Sequence, residues 1–576
     1  MAMDKHELVR IFNETGLLLE LKGENPFKAR AYYHAARTIE NLSEDLAGLA
    51  ERGELAKIAG FGATIVEKIE EWLDIGTVSY YEDLRSSTPA GLFEMLRLPG
   101  LGPKKIQMIH QQLGISGLEE LERACHENRL AALPGFGAKT QEKICAGIEF
   151  IKQNRGFFLW AEGYGAAVQL LAQLRGCPSL MQAEIAGSLR RFKEIVHDID
   201  LLAATDDPQA VGSFFQSLPD VKEVTARGDT KISVLLRSGI AVDLRIVKPA
   251  EFPHAWQHFT GSKEHNTALR HLAKGLGSKV NEYGITRAEE VVHCPDETAI
   301  YQMLGLQWIP PELREDLGEL EAAGRNLLPD LVQSRDLKGL FHIHTSYSDG
   351  VHSLEELVLA AIERGYQYLG ISDHSQIAVY AHGLPVDRLE RQWAEIAELR
   401  CKYPGFRIFQ GIEADILPSG QLDYGPEVLS KFDFVIGSVH SQFKMSREAM
   451  TARILRAMED PYLTMLGHPT GRILLERSGY EVDLEALLQK AAATGVVMEF
   501  NASPYRLDLD WRWLRRAKEL RVPIAINPDA HGIPELDLAR GSLMFARKGW
   551  LEAKDVLNTR SGAVIAEFLQ QRRTAR

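Results

Sequence analysis

The stretch Gly187-Ser188-Leu189-Arg190-Arg191, followed by Asp198-Ile199-Asp200, decides the reading of this 576-residue chain. Side chains on a strand alternate between faces, so Asp198 and Asp200 project from one side, about 7 Å apart along the chain. Together they make a platform for divalent cations. The Gly-Ser turn upstream offers backbone N–H groups and a hydroxyl, with Arg190 and Arg191 alongside, a set that suits a polyphosphate bridged to those cations. A third carboxylate, Asp243 in Val242-Asp243-Leu244-Arg245-Ile246-Val247, lies in an apolar run that reads as a neighbouring strand. Three carboxylates and a phosphate turn are what two-metal nucleotidyl transfer requires.

The run from Gly187 to Asp200 resembles the palm motif of the family X DNA polymerases, whose pattern is Gly-Ser-x-Arg-Arg, a short spacer, then Asp-x-Asp. Phe259-Thr260-Gly261-Ser262-Lys263-Glu264-His265-Asn266 resembles that family's nucleotide-binding segment at the start of the thumb, and Asn281-Glu282-Tyr283-Gly284 continues the match. With the flanking regions, the resemblance is to a bacterial family X polymerase carrying an appended polymerase and histidinol phosphatase (PHP) domain. It implies a helical N-terminal domain and fingers with helix-hairpin-helix motifs, an α/β nucleotidyltransferase palm, a small thumb and a C-terminal distorted β/α barrel. The expected boundaries are 1–85 for an N-terminal domain that binds DNA ends, 86–151 for the fingers, 152–250 for the palm, 251–317 for the thumb, 318–337 for a linker and 338–576 for the PHP domain.

The chain is too long for one core. At 45% apolar and 25% charged it has the composition of an ordinary globular protein. It has no apolar run of membrane-spanning length and no signal-peptide core, so it is expected to be cytoplasmic. The five cysteines are scattered, with no C-x-x-C pair, which implies neither a disulfide framework nor a thiolate zinc site. The net charge is −13, and 29 basic against 31 acidic residues from Lys338 onward place the excess before that point, at 37 against 48. An enzyme of nucleic acid with this balance must contact DNA through local Lys and Arg clusters and backbone amides, with an affinity that falls steeply with salt.

Three related segments occur in the first 150 residues: Ile58-Ala59-Gly60-Phe61-Gly62-Ala63-Thr64-Ile65, Leu98-Pro99-Gly100-Leu101-Gly102-Pro103-Lys104-Lys105-Ile106 and Leu133-Pro134-Gly135-Phe136-Gly137-Ala138-Lys139-Thr140. Each reads as a helix-hairpin-helix, in which two glycines permit a tight turn at a helix N-terminus that binds a DNA phosphate without sequence readout. The expected DNA contacts are Gly60, Gly62, Gly100, Gly102, Lys104, Gly135, Gly137 and Lys139. By the resemblance, Lys28 matches a 5′-phosphate contact. Lys68 matches the lysine that DNA polymerase beta uses for a Schiff base with 5′-deoxyribose phosphate, chemistry that requires a lowered amine pKa.

In the palm the resemblance gives Asp198 and Asp200 to both metals, Mg²⁺ or Mn²⁺, and Asp243 to the metal that activates the primer 3′-hydroxyl. Ser188 and Arg191 match triphosphate contacts, and Lys231 is placed near the site. Phe259 and Gly261 would lie against the sugar of the incoming nucleotide. Asn266 and Arg270, four apart on one helix face, match the residues that touch the incoming base and the template. Three positions depart from the family pattern: Phe192 and His197 stand where glycines are usual, and His258 replaces a tyrosine. Bulk at these positions would narrow the nucleotide pocket.

Beyond Lys338, β-forming runs alternate with helix-length amphipathic segments, as in a β/α barrel. Polar residues sit at the strand ends: His342, His344, Asp349, His374, Glu413, His440, His468, Asp529 and His531. Functional residues gather at the C-terminal ends of barrel strands, and imidazole with carboxylate suits Zn²⁺, Mn²⁺ or Fe²⁺. The nine resemble the full ligand set of the PHP domain, whose usual site holds three metals, with Glu413 as the bridging carboxylate. In relatives this domain supplies 3′→5′ exonuclease and related 3′-end phosphoesterase activity, with cleavage at abasic sites in some.

The expectation is a monomeric repair enzyme that fills short gaps in nicked or gapped DNA from deoxynucleoside triphosphates and trims 3′ ends. Two other readings stay open at this point: a nuclease whose polymerase half is only a DNA-binding platform, and a metal-stabilised scaffold with no chemistry.

Overall fold

The computed structural model describes residues 5–40, 42, 46–58, 60–96, 98 and 100–574; Ala59 and Pro99 of the hairpin motifs lie outside them. The chain forms two compact units, Met1–Arg155 and Gly156–Arg576.

The described residues of the first unit form helices joined by turns. Helices Lys5–Lys22, Pro26–Glu40 and Ala63–Ile75 bury Leu8, Phe12, Tyr32, Ile65, Ile69 and Trp72 in one core. Helices Pro103–Leu113, Leu118–His126 and Ala138–Gln153 supply a second, around Ile106, Ile109, Leu121, Ile144 and Ile148. Apolar residues at helical spacing on one face make both cores.

The second unit begins with a five-stranded sheet in the order Gln182–Ile185, Asp198–Ala204, Ala241–Val247, Lys231–Leu236, Val221–Arg227. Strand alternation divides Asp198–Ala204 cleanly. Ile199, Leu201 and Ala203 enter a core with Leu170, Leu174, Val211 and Phe215, from the helices Trp160–Leu174 and Pro208–Gln216. Leu202 and Ala204 face the other way and pack on Phe252 and Ala255. Asp198 and Asp200 share that second face. The strand runs parallel to Ala241–Val247 with Asp200 directly opposite Asp243.

Helices Phe252–Thr260, Lys263–Gly275 and Glu297–Met303 and a three-stranded antiparallel meander over 278–292 follow, around Leu269, Val280, Ile285, Ile300 and Tyr301. Of residues 318–337, expected as a linker, Val332 and Leu337 are built into the core of the following barrel and Leu320, Ala323 and Leu331 into this region. Helix Glu319–Gly324 buries Leu320 and Ala323 in the same core. Buried Glu319 has Oε1 2.6 Å from His265 Nδ1 and accepts the N–H groups of Asp316 and Leu317. The polar composition there reflects charge satisfied internally rather than solvation.

Glu297 ties the sheet to this helical region. It accepts two hydrogen bonds from Arg190, at 2.8 and 2.7 Å, and two from fully buried Arg314, at 2.8 and 3.1 Å. Arg190 also stacks over Trp256 and donates to Thr260 Oγ1. It is therefore a structural residue, which corrects the expectation that it stands free for a polyphosphate.

The remaining chain forms seven parallel strands in sequence order, from Gly339–Ile343 to Ile524–Asn527, and the bridge Ile343 to Ala530 brings the ends together as a nearly closed barrel. Its interior is apolar at the N-terminal end, where Phe341, Phe409, Phe434, Met465, Val497 and Ala525 meet Ile565 and Leu569 of the last helix, Gly562–Thr574. Gly370 and Gly411 make room for these rings, since a Cβ at either would lie 2.3 Å from Phe341 or Phe434. Two steps along, alternation turns the same inward series polar: Phe409 leads through Gly411 to Glu413, Val497 to Glu499 and Asn501, and Ala525 to Asn527 and Asp529.

Because Glu297 pairs with two arginines at once, Glu297→Gln should destabilise this unit by about 3–5 kcal/mol, seen as a lower thermal midpoint of the full chain. Against burial, which acts the other way, Arg314 and Arg190 hold the Glu297 carboxyl at about 2, below its ordinary 4.5. The wild type's advantage over Glu297→Gln should therefore be whole above pH 4.5 and shrink as pH falls toward 2. A pH-independent difference would contradict the assignment.

Candidate active sites

In the first unit the three hairpins repeat one geometry. Gly60, Gly100 and Gly135 take φ of +95°, +84° and +78°. Gly62, Gly102 and Gly137 are extended and cap the helices Ala63–Ile75, Pro103–Leu113 and Ala138–Gln153. The left-handed residues need glycine for their backbone, whereas a Cβ at Gly62, Gly102 or Gly137 would meet nothing within 4 Å. Open space over amides at a helix start leaves room for a phosphate to approach. Lys104 and Lys139 are exposed beside their turns.

A cavity of about 440 Å³ brings together Lys28, Tyr32, Gly60, Gly62, Thr64, Lys68 and Tyr80. Lys68 Nζ lies 3.0 Å from Glu71 Oε2 and 3.7 Å from Glu67 Oε1. The hydrogen bond to Glu71 pushes its amine up from the ordinary lysine value, opposite to the direction a Schiff-base nucleophile needs.

In the second unit a cavity of about 400 Å³ is lined by Ser188, Arg191, Asp198, Asp200, Phe259, Gly261, Asn266 and Arg270, together with Gly187, His258 and Lys263. Every nucleotide-binding candidate and the Asp-x-Asp pair thus converge. Gly187 has φ +60°, and a Cβ there would lie 1.9 Å from Asp200 Oδ2, so the backbone closes directly over the carboxylate. Burial and the charges of Asp198 and Asp243 push the Asp200 carboxyl up to about 7. Asp243 accepts from Ser233 Oγ at 2.6 Å and lies 2.6 Å from Lys231 Nζ. Arg245 lies over the Phe259 ring at 4.8 Å.

Asn266 behaves differently from expectation. Its Nδ2 donates to the His258 carbonyl at 2.7 Å and its Oδ1 accepts from Gln257 at 2.8 Å, so much of its hydrogen-bonding capacity holds the helix Lys263–Gly275 against Phe252–Thr260. Arg270 is exposed at the rim. Lys263 is a further lining cation, to which the sequence motif around it assigns no role. Neither Phe192 nor His197 lines the cavity. His197 is exposed and packs its ring 5.6 Å from Phe157. His258 does line it, with its ring 5.1 Å from Phe259.

At the C-terminal end of the barrel all nine expected ligands meet. His344, Asp349, His374 and His531 form one group, His342, Glu413 and His468 a second, His374, Glu413 and His440 a third, and His342, His344 and Asp529 a fourth, the ligand atoms of each within 4.8 Å of one another. Glu413 lies centrally, 2.9 Å from His374 Nδ1, 3.0 Å from His468 Nε2 and 3.2 Å from His342 Nε2. The backbone is strained to achieve this: His342, His468 and Asp529 have φ of +61°, +23° and +54°. The turn at His342 shifts the strand register, so that both Phe341 and His342 face the interior. Leu340, where the family often has an aspartate, is wholly buried on the outer side of the strand.

Several ring and carboxylate atoms there, including His342 Nε2, both nitrogens of His344, His374 Nδ1 and Glu413 Oε2, are buried and, although they lie close to one another, are not aligned for hydrogen bonds. Burial, with His531 and His374 beside it, pushes His344 down to about 3, which keeps the imidazole neutral and its lone pair available. Nitrogen and oxygen donors crowded in this way fit divalent cations. The Asp198, Asp200 and Asp243 oxygens fit a hard cation such as Mg²⁺ or Mn²⁺.

Three supporting residues are not evident from the sequence motifs. Glu499 accepts from Asn527 Nδ2 and His468 N, and its Oε1 lies 2.6 Å from His342 Nδ1. Asp415 holds His440 Nδ1, and Asn501 donates to Asp529 Oδ2 at 3.0 Å. Such partners orient ligating rings. The signals that could have found them are an acidic residue inside the apolar run Val497-Met498-Glu499-Phe500, and Asp415 two residues beyond Glu413.

Four family descriptions match parts of the chain. A helix-hairpin-helix domain matches residues 3–78, a SAM-like helix-hairpin-helix tandem 93–149, the DNA polymerase beta thumb 255–315 and the PHP domain 341–503. The DNA polymerase/3′-5′ exonuclease PolX of Bacillus subtilis (strain 168) is 39% identical over 576 residues, covering 99% of this chain and all of the relative. A probable phosphatase of Thermoanaerobacter sp. (strain X514) is 28% identical over 245 residues, 40% of this chain and 94% of its own length. A probable phosphatase of Caldanaerobacter subterraneus subsp. tengcongensis is 27% identical over 243 residues, with 40% and 91% covered. Full-length similarity at this identity, together with the polymerase beta thumb and PHP matches along this chain, means that the chain belongs to the family X DNA polymerases that carry a C-terminal PHP domain.

Proposed function

We propose that this protein fills short gaps in DNA by template-directed nucleotidyl transfer at Asp198, Asp200 and Asp243, and degrades 3′ ends at the barrel site. The observation that carries the first activity is a single cavity uniting Asp198 and Asp200 with Ser188, Arg191 and the Phe259–Arg270 segment, with Asp243 directly opposite Asp200 on the neighbouring strand. The nine-residue cluster carries the second. The relatives point the same way: one is named for both polymerase and 3′-5′ exonuclease activity, and the shorter ones, which align over 40% of the chain, are named as phosphatases.

In the polymerase reading, Ser188 Oγ and the Arg191 guanidinium bind the triphosphate, Phe259 and Gly261 bracket the sugar, and Arg270 reaches the template side. Asp198, Asp200 and Asp243 would hold the divalent cations of this site, with Lys231 and Ser233 orienting Asp243. In the barrel, the His and carboxylate cluster around Glu413 would hold divalent cations, while Glu499, Asp415 and Asn501 fix ring and carboxylate orientations. Bound in these places, divalent cations supply charge neutralisation and an activated oxygen nucleophile. The hairpins and Lys28 hold the gapped duplex and its 5′-phosphate. Lys68, pushed up by Glu71, serves as a phosphate contact and not as a nucleophile. The alternative of a polymerase half reduced to a platform is disfavoured because Phe192 and His197 leave the cavity open.

A primer-extension assay on 5′-phosphorylated one-nucleotide-gapped DNA with Mn²⁺ tests both activities. Shortening without nucleotides and a one-base gain with them is expected. Asp200→Ala should lower extension about a hundredfold or more and spare shortening, while His344→Ala should do the reverse, since each removes a metal clamp worth several kcal/mol of transition-state stabilisation. Loss of both activities in Asp200→Ala would refute the assignment of two sites. Chelation should stop both reactions, with recovery on metal return. Replacing Gly100, Gly102 and Lys104 should weaken binding to the gap in gel shifts and reduce its salt slope by about one for each phosphate no longer bound; unchanged affinity at moderate salt would exclude that hairpin from DNA binding.

A further inference from the structure

Lys548, at the end of the barrel-domain helix Leu543–Lys548, has a wholly buried side chain. Its ammonium lies 2.6 Å from Glu315 Oε1 and donates to the carbonyls of Arg191 and Glu312 at 2.9 and 3.2 Å. Three acceptors match its three N–H groups. Glu315 in turn lies 3.3 Å from Arg191 Nε and 3.0 Å from Lys193 Nζ. The far end of Arg191 donates to the Thr260 carbonyl, and a Cβ on Gly261 would come within 2.9 Å of its Nη1. Phe192, at φ +54°, stacks on Trp160 at 5.2 Å, and both rings meet the edge of Phe545 from the same barrel helix, at 5.8 and 5.4 Å. The barrel domain thus holds the Arg191 carbonyl directly and its guanidinium through Glu315, while the aromatic contact at Phe545 belongs to the surrounding interface.

A buried charge that only cemented the interface would have no need to converge on this residue. The pair Arg547 and Glu312 and the pair Arg512 and Glu194 already bridge the same surfaces without touching Arg191. A side chain that must meet a triphosphate gains from being held in one geometry before the ligand arrives.

We propose that Lys548 is a positioning residue for nucleotide addition, fixing Arg191 through Glu315 and the Arg191 carbonyl, so that the barrel domain is part of the framework of the polymerase site. The proposal rests on the reading of Arg191 as a triphosphate contact.

The test is steady-state single-nucleotide insertion by the full-length chain. Lys548→Met should raise KM for the deoxynucleotide about tenfold, as expected when a substrate-holding group is misplaced by a fraction of an ångström to 1 Å, and should leave gap binding and 3′-end shortening unchanged. Phe545→Leu, which loosens the same interface without touching the Lys548–Glu315–Arg191 chain, should lower the thermal midpoint and leave KM unmoved. If Lys548→Met fails to fold, Glu315→Gln, which keeps shape but loses the charge and one of the two acceptor oxygens, is expected to raise KM in the same way. An unchanged KM in a folded Lys548→Met or Glu315→Gln protein, or an equal rise in Phe545→Leu, would overturn the proposal. Arg191→Ala separates the two levels: if it leaves KM unchanged, the triphosphate reading itself fails, whereas a raised KM there with a normal one in Lys548→Met rejects only the positioning role.

Discussion

Both chemical centres depend on the two-residue period of the β-strand. In the sheet, Ile199, Leu201 and Ala203 fill one core, so the intervening Asp198 and Asp200 must face the other way, where the parallel neighbour presents Asp243. In the barrel the same period carries each inward-facing series from an apolar plug to a polar rim, as from Phe409 through Gly411 to Glu413. A one-residue slip in either sheet would send every ligand into a hydrophobic core, where an unpaired carboxylate is far more costly than any loss of packing. The core thereby enforces the site. The exceptions are His342, His468 and Asp529, whose positive φ values break the period where the rim must crowd more ligands together than alternation allows.

Buried charge is the second organising element. Glu297 between Arg190 and Arg314, Glu319 against His265, and Lys548 among Glu315 and two carbonyls all lie in the second unit, and all join segments far apart in sequence. Their net energetic value is small next to the cost of breaking them, so they act chiefly as devices of registration. This also accounts for part of an acidic composition in an enzyme of nucleic acid: several of its carboxylates are matched internally or grouped for cations and contribute little to the outer field.

Positions that depart from the family pattern acquire different meanings once placed. Phe192 looks like an obstruction in a glycine position, yet its ring is turned away from the cavity to contact the barrel helix at Phe545. His197 points to Phe157 and solvent. Only His258 stands at the cavity, beside Phe259.

The sequence by itself determined much of this protein. Period-two apolar runs marked palm strands, Gly-x-Gly repeats marked the hairpins, and polar residues at the ends of β-forming runs, with the family resemblance, singled out the nine side chains that the barrel brings together, because these signals are local and each residue type carries its own chemistry. What it left undetermined is long-range. Arg190 and Arg191 are adjacent and identical in kind, yet one is consumed by Glu297, 107 residues away, and the other reaches the cavity. The polar stretch after Asp316 reads as a linker because nothing local says that Glu319 meets His265. Glu499 and Lys548 are silent for the same reason: a buried ionisable group is defined by partners that only folding brings within 3 Å, and a linear pattern holds no record of that distance.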